Sequence, residues 1–316
     1  MIQQATYAVP REDLGEAVLE FDPSTEDFIA TEVLPIRPVK RKAATVTVVT
    51  RENLKRATAR HGNGAAFNRT DLYTEDLEYA CVDYGLEGQL TNEDRANHEF
   101  DLDAELETTM STKRIMLAEQ EIRVATALFN TSTWTGATLY KDYSGAPWDN
   151  IASDIIGQVG FAKEKVRLNC GYTPDSMAIG AASLQNMLAN TAIKARFPGV
   201  TVITEEMIRA NLAAILGLRN LYVGKKTYDS AAEGQDFVGT DIWADDYAQV
   251  FRRNEGSLRS GGLGRTLLWT AMSPENITVI QYREEQTDSD IFRVRQFVEE
   301  KVFDKYFGFL LKIDVL

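Results

Sequence analysis

The chain is poor in the side chains that most often carry chemistry. Its 316 residues include only two cysteines and two histidines. Cys81 and Cys170 lie far apart in unrelated contexts, which excludes a disulfide framework and points to reduced thiols. His61 and His98 have no second His, Cys or carboxylate at ligand spacing, so a zinc site is not expected. Long apolar runs are missing too: no stretch approaches the roughly 20 residues of a membrane span. The first residues, Met1 to Ala5, lack the basic start and apolar run of a secretory signal. Basic residues are in deficit, 34 against 47 acids for a formal net charge of −13. A surface that binds nucleic acid all over is thereby excluded, because displacing counterions from phosphates needs a basic face.

Local catalytic signatures fail one by one. Gly224-Lys225-Lys226-Thr227 ends like a phosphate loop, but the upstream glycine position holds Arg219. Ser260-Gly261-Gly262-Leu263-Gly264 is glycine-rich, yet Leu267 stands where a dinucleotide fingerprint needs its last glycine. The acid pairs Asp245/Asp246 and Glu284/Glu285 are adjacent in sequence, and on a strand adjacent side chains face opposite ways. No cofactor, no metal and no enzymatic activity are expected.

What the chain does have is charge sorted into blocks. Residues 37–60 hold eight bases, Arg37, Lys40, Arg41, Lys42, Arg51, Lys55, Arg56 and Arg60, against the single acid Glu52. Residues 71–107 hold thirteen acids against Arg95, and residues 11–32 hold eight acids against Arg11. Like charges crowded together repel, so single-sign blocks mark a surface meant to meet an opposite one. A turn-forming stretch, His61-Gly62-Asn63-Gly64, lies between the basic and acidic blocks. The layout is that of a long hairpin arm reaching outside its own core. About 20 residues per strand would span about 65 Å when extended.

Hydrophobic residues make up 44% of the chain, enough for a substantial core. Residues 1–35 read as an extended acidic arm with a short helix over 11–20, and Phe28, Ile29, Val33 and Leu34 as a pin onto a neighbour. The β-branched run 45–50 reads as a strand returning through 71–84. From Asp101 to Asn130 there is no Pro or Gly, and the spacing predicts one helix of about 30 residues, about 45 Å long. Its Ile115/Ile122/Phe129 stripe is the expected buried face. A second helix should carry Trp148, Ile151, Ile155, Val159, Ala162 and Val166. Ser176–Gly180 reads as a buried strand, 181–196 as a helix, Thr204 as the N-cap of a helix ending at Gly217, and Leu221–Val223 as a strand. Period-2 strands close the chain, the last alternating from Phe307 to Val315.

This order of elements resembles the major capsid proteins of tailed bacteriophages, the Hong Kong 97-type fold. The resemblance is local as well. Residues 24–38 look like the entry to that family's E-loop, and Val82–Glu87 with Asn92–Ala96 like its return. Asp101–Asn130 looks like its spine helix. Trp148-Asp149-Asn150 with Ser153–Ile156, Gly171–Asp175 before Ala178–Gly180, and Leu221–Gly224 look like parts of its A-domain. The implied fold class is α+β: an N-terminal arm (1–35), an E-loop hairpin (36–90), a spine helix and following loop of a P-domain (91–147), an α/β A-domain (148–264) and antiparallel P-domain strands (265–316). The implied function is a structural shell subunit in the virion, assembled in the bacterial cytoplasm. Its partner is itself, as hexamers and pentamers, with separate scaffolding and portal proteins, decoration proteins in some shells, and enclosed double-stranded DNA not read by sequence. The resemblance makes the charge blocks candidates for inter-subunit contact: Arg37, Lys40, Arg41, Lys42, Lys55, Arg56 and Arg60 on one side, Glu99, Asp101, Asp103, Glu105 and Glu107 on the other. The Lys–Asn cross-link of some family members has no assignable residues here. An encapsulin-type compartment shell, an enzyme with an unseen site and a nucleic-acid binder using residues 37–60 are the rival readings.

Overall fold

A computed structural model describes residues 9–10, 27–56, 59–60, 67–98, 104–197, 204–232, 234–253, 256, 261–274 and 276–315. The residues are arranged around two sheets. The first is organised by one fourteen-residue strand, β14 (Ser289–Val302). It pairs antiparallel with β5 (Val82–Thr91) from Ser289↔Thr91 to Val298↔Val82, and with β13 (Thr278–Glu284) from Thr278↔Arg295 to Glu284↔Ser289. Its far end pairs with β12 (Gly264–Trp269), which holds β2 (Ile36–Val39) in parallel; β1 (Val9–Pro10) adds to the edge of β13. The period-2 pattern of Phe292, Val294 and Val298 puts these three side chains in the core.

The long helix, α3 (Ala104–Leu128), follows two shorter ones, α1 (Ala30–Val33) and α2 (Asn92–His98). It runs 25 residues within the described chain, and positions 101–103 lie outside it. The expected buried stripe is corrected. Ile115 is 55% exposed, and Ile122 and Phe129 are half-buried. The buried face is Thr109, Thr112, Lys113, Met116, Leu117, Gln120, Glu121, Val124, Ala125 and Leu128. The helix is covered along its length by two bodies. Met116 and Leu117 pack with Leu90, Phe292 and Val294 of the sheet, and Val124, Ala125 and Leu128 pack with Ile29, Val33 and Leu34. Two of the polar side chains on this face are satisfied by helix carbonyls: Thr109 and Thr112 donate back to the carbonyls of Glu105 and Thr108 at 2.7 and 2.8 Å. Close approach to β5 also needs Gly88, where a Cβ would sit 2.5 Å from Thr112 Oγ1.

Residues Phe28, Ile29, Val33 and Leu34 are buried in this same subunit. The expected pin therefore closes the chain's own core rather than a neighbour's. The helix expected over 11–20 and the 61–64 turn lie outside the described residues.

The second sheet has the order β6 (Tyr140–Asp142), β15 (Gly308–Lys312), β11 (Tyr247–Phe251), β7 (Ser176–Gly180) and β8 (Asn220–Gly224). It is covered by α4 (Ile155–Cys170), α5 (Ala181–Ala189), α6 (Thr191–Lys194) and α7 (Glu205–Leu216). Thr204 caps α7 through Met207 N, and Gly217 ends it at φ 63°, as its sequence signals imply. The second helix starts later than expected: Asp154 caps it at Gly157 N, so Trp148 and Ile151 precede it. Trp148 is nevertheless buried, its indole donating to Gln158 Oε1 at 2.7 Å, and Ile151 is 55% exposed. The 181–196 helix is split at Asn190, whose side-chain oxygen accepts from Ala192 N and Ile193 N. The last strand also departs from its expected grouping. Gly308–Lys312 joins the second sheet between β11 and β6, so residues 265–316 serve both sheets. Both its faces are buried, which an alternating pattern does not reveal.

Two hairpins complete the fold: β3 (Ala43–Val49) with β4 (Thr74–Ala80), and β9 (Thr227–Asp229) with β10 (Gly239–Asp241). The strand expected over 71–84 is two strands, because Cys81 turns inward between β4 and β5 with its thiol donating to Leu267 O.

Candidate assembly surface

The basic block lies at the two ends of the β3–β4 hairpin. Arg37, Lys40, Arg41 and Lys42 precede β3, while Lys55, Arg56 and Arg60 follow it. All seven are exposed. Register keeps these bases away from the returning acids: Glu75, Asp76 and Glu78 stand opposite Val48, Thr47 and Thr45. Asp76 accepts a hydrogen bond from Thr47 Oγ1 at 2.7 Å. Lys55 pairs with Glu52 at 3.0 Å and covers the Tyr73 ring at 4.7 Å. The other six bases make no ion pair among the described residues. The hairpin's two charge blocks therefore do not cancel across its ladder.

At the hairpin's base, Tyr79, Cys81 and Leu267 form a small core with Val46 and Trp269 packed against it. Trp269 Nε1 donates to Lys40 O at 3.3 Å, and Cys81 N to Lys42 O at 2.8 Å. The 40–42 backbone is thus held on the body while its side chains point to solvent. Further out, Leu54, Phe67 and Leu72 are exposed at 56, 74 and 70%. Exposed large apolar side chains on a segment whose bases, Lys55 apart, make no ion pair among the described residues have the composition of a contact surface.

Of the acidic candidates, Glu99, Asp101 and Asp103 lie outside the described residues. Glu105 pairs with Arg95 at 2.6 Å, and Arg95 also holds Asp290 at 2.7 Å. That cluster ties α2, α3 and β14 inside one subunit. Glu107 has a side chain 58% exposed, with Arg114 at 3.8 Å. The acids of β5 are spoken for as well: Asp83 takes a bidentate grip from Arg295 at 2.6 and 2.8 Å, and Glu87 accepts from Arg293 Nε at 2.6 Å. These pairs raise the pKa of both arginines through the carboxylate hydrogen bond.

A functional-looking group that sequence reasoning missed is Glu121. Its carboxylate is buried and accepts from Ala30 N at 2.5 Å and Trp243 Nε1 at 2.6 Å. Burial pushes its pKa up to about 7, outweighing the two donors, which pull it down. The signal was present: Glu121 shares a helix face with Leu117, Val124 and Leu128. Among the described residues no group of three His, Cys, Asp or Glu is placed to hold a metal ion. No helix there is long and apolar enough to cross a membrane.

Several solved structures share this architecture. A phage-related protein from Bordetella bronchiseptica RB50 superposes at TM-score 0.73 with 19% identity, covering 98% of both chains. The capsid structure of cyanophage P-SCSP1u matches at TM-score 0.58 with 13% identity, over 99% of this chain and 90% of that one. The encapsulin of Synechococcus elongatus PCC 7942 shares the fold at TM-score 0.53 with 12% identity, over 98% and 92%. In sequence, the chain is 22% identical over 245 residues to the major capsid protein of Burkholderia phage BcepMu, covering 76% of this chain and 75% of that one. No family model matches the chain. The resemblance to phage major capsid proteins thus holds both in sequence and in fold.

Proposed function

We propose that this chain is a bacteriophage major capsid protein whose copies assemble as hexamers and pentamers into a closed shell around double-stranded DNA. The observation that carries the reading is the coincidence of a fold shared with a capsid structure along nearly the whole chain with a sequence relative that is itself a major capsid protein. In that frame the β3–β4 hairpin is the E-loop, α3 the spine helix, the first sheet the P-domain and the second sheet with its helices the A-domain. Arg37, Lys40, Arg41, Lys42, Lys55, Arg56 and Arg60 then meet acidic surface of an adjacent copy. Of the two acidic candidates that are described, Glu107 is the better, since Arg95 holds Glu105 at 2.6 Å whereas Arg114 lies 3.8 Å from the more exposed Glu107. A net charge of −13 suits a container whose DNA must not stick to its wall. Scaffolding and portal proteins are expected to be separate chains.

The test is electron microscopy and sedimentation of the expressed protein, alone and with its scaffold. Closed particles tens of nanometres across, or capsomers that close when scaffold is added, are the expected result. Stable monomers or dimers under both conditions overturn the reading. An encapsulin-type compartment is the second reading, because that fold is shared. Particles purified from the native source decide between the two: nucleic acid inside favours a capsid, a protein cargo favours a compartment.

A further inference from the structure

Two exposed apolar patches belong to the body built on the second sheet, on different elements. The first is the tip of the β9–β10 hairpin, whose strands pair only with each other among the described residues. Phe237 and Val238 are 73 and 51% exposed there, and Tyr228 of β9 is exposed as well. The tip is nonetheless tied to one shape. Asp229 Oδ1 accepts from Ala231 N at 2.9 Å and from Val238 N at 3.0 Å. Ser230 N donates to Val238 O at 2.9 Å, and the Ser230 and Thr240 hydroxyls lie 2.7 Å apart. Phe237 leans over Gly239, where a Cβ would fall 3.1 Å from its Cε1. An apolar group held out by ordered backbone loses little further entropy on contact.

The second patch is the outer face of α4. Val159, Ala162 and Val166 point into the core, which leaves Phe161, Lys165 and Leu168 on the other side at i, i+4 and i+7. Phe161 is 39% and Leu168 62% exposed. Phe161 is fixed edge-on against Phe309, with ring centroids 6.0 Å apart. Next to it the helix surface dips, since a Cβ on Gly160 would meet nothing within 4 Å. The two patches carry opposite charge. Asp236 and Asp241 flank the tip, exposed and without an ion pair among the described residues. Lys165 makes no ion pair among them either and lies 5.2 Å from the Phe161 ring centroid. Its neighbours Glu164 and Arg167 pair with each other.

We propose that the β9–β10 tip is a knob for a second copy of this chain: Phe237 and Val238 seat on the α4 stripe beside Gly160, and Asp236 meets Lys165. A knob and a seat on different parts of one chain join copies head to tail, and such a contact makes a ring when its rotation closes. An aromatic anchor at the centre with charges at the rim is the arrangement in which a few side chains carry most of the binding energy. The inference rests on the shell reading and assigns residues to one contact between its copies, separate from the basic hairpin.

The test uses the full-length chain under assembly conditions, with scaffold where closure needs it, and bis(maleimido)ethane, a short reagent that joins thiols by addition. Cys81 and Cys170 are buried, and the wild-type chain serves as the blank. Val238→Cys mixed with Leu168→Cys should give a cross-linked dimer, and each variant alone should give none. The double variant should give a ladder that stops at the pentamer and the hexamer. Adding Phe237→Ala should lower the yield roughly tenfold, as for an aromatic side chain removed from a contact. Gly160→Met fills the dip without removing a contact within the subunit and should lower the yield severalfold. Met also favours the helix over Gly, so the melt of the single chain should not fall. Asp236→Lys should weaken cross-linking, and Lys165→Glu in the same chain should restore it. Electron microscopy of the same samples separates the two ways of failing. Particles without cross-links between positions 238 and 168 overturn this contact and leave the shell reading standing. A cross-linked ladder without particles keeps the contact and removes the shell, and the absence of both overturns both. Cross-links in either single variant alone, or undiminished yield in both Phe237→Ala and Gly160→Met, also overturn the contact.

Discussion

The first sheet and the β3–β4 hairpin handle charge in opposite ways. On the sheet, each strand-borne arginine of β14 next to β5 has a carboxylate across the ladder, Arg293 with Glu87 and Arg295 with Asp83. Arg123 on the long helix is likewise held by Glu300 at 2.8 Å and lies 3.8 Å from the Tyr84 ring centroid. On the hairpin, six of the seven candidate bases have no ion-pair partner among the described residues, and the acids of β4 face threonine and valine. Charge that is neutralised where the chain folds contributes to the fold. Charge left unpaired at the ends of a thin ladder does little for the fold and remains available to another molecule. The difference separates residues that hold the subunit together from the residues we propose as contacts to an adjacent copy.

The largest effect should come from breaking the body. Val124 is fully buried between α1 and the second sheet's surroundings, so Val124→Asp puts an unpaired carboxyl into that core. The expected cost is several kcal/mol, seen as insoluble protein or loss of a cooperative melt. Ile122, half-buried, should tolerate the same change better, which tests the corrected face of the helix. Reversing Lys40, Arg41 and Lys42 to Glu should leave the melt of the single chain within about 0.5 kcal/mol of wild type.

Glu121 makes the next largest prediction, in pH. Its folded pKa of about 7 is above the ordinary 4.5. The folded chain therefore holds a proton that the unfolded chain releases. Stability from this group is full below pH 4.5 and is lost as pH rises toward 7, by about 3 kcal/mol in all. Denaturant melts at pH 4.5, 6 and 7.5 should show this loss in wild type relative to Glu121→Gln. The Gln side chain cannot ionise, so its melts should lack that slope. It also offers one acceptor where Ala30 N and Trp243 Nε1 need two, which lowers stability at every pH. Parallel slopes in both proteins would remove Glu121 as the cause.

How much of this was legible beforehand follows from the same division. Capping signals are local chemistry, and Thr204 with Gly217 delimits α7 as read. Ser176–Gly180 is a strand whose five residues are all buried, and its short apolar run between turns said so. The face of α3 was misread because apolar spacing alone cannot show that a helix is covered from two sides. Thr112, Gln120 and Glu121 are inside only because of what lies across from them. The sheet joined by Gly308–Lys312 was hidden for a similar reason, since strand pairing is long-range and the alternation is the same in either sheet. For the contact surface, the charge blocks were visible as composition. Their failure to face each other was not, because register decides it.

The third prediction moves to the partner-facing charge. The Lys40/Arg41/Lys42 reversal should slow or abolish assembly while the single chain stays folded, and wild-type particles should loosen with salt. Exposed pairs are each worth roughly 0–1 kcal/mol, so the effect depends on repetition over many copies, and screening sets in beyond about 8–10 Å at physiological ionic strength. Light-scattering assembly curves at low and high salt give the answer. Equal curves for both proteins at every salt concentration would place these bases outside the contact.

The smallest expected effect sharpens the comparison from the other side. Asp83 and Arg295 form a bidentate pair, but their side chains are 39 and 28% exposed. Water screens part of the attraction, and ordering two long side chains offsets more of it. A double-mutant cycle with Asp83→Ala and Arg295→Ala should therefore give a coupling of only about 0.5–1 kcal/mol in the melt of the single chain. The same cycle should leave assembly near wild type, because both charges are already satisfied within the subunit. The contrast with the hairpin is then quantitative: mutations on β5 and β14 move stability a little and assembly hardly at all, whereas the Lys40/Arg41/Lys42 reversal does the reverse. If the Asp83–Arg295 cycle instead shows no coupling in stability and a clear defect in assembly, pairing within the subunit does not mark a residue as structural, and the division drawn between sheet and hairpin fails at its best-formed ion pair.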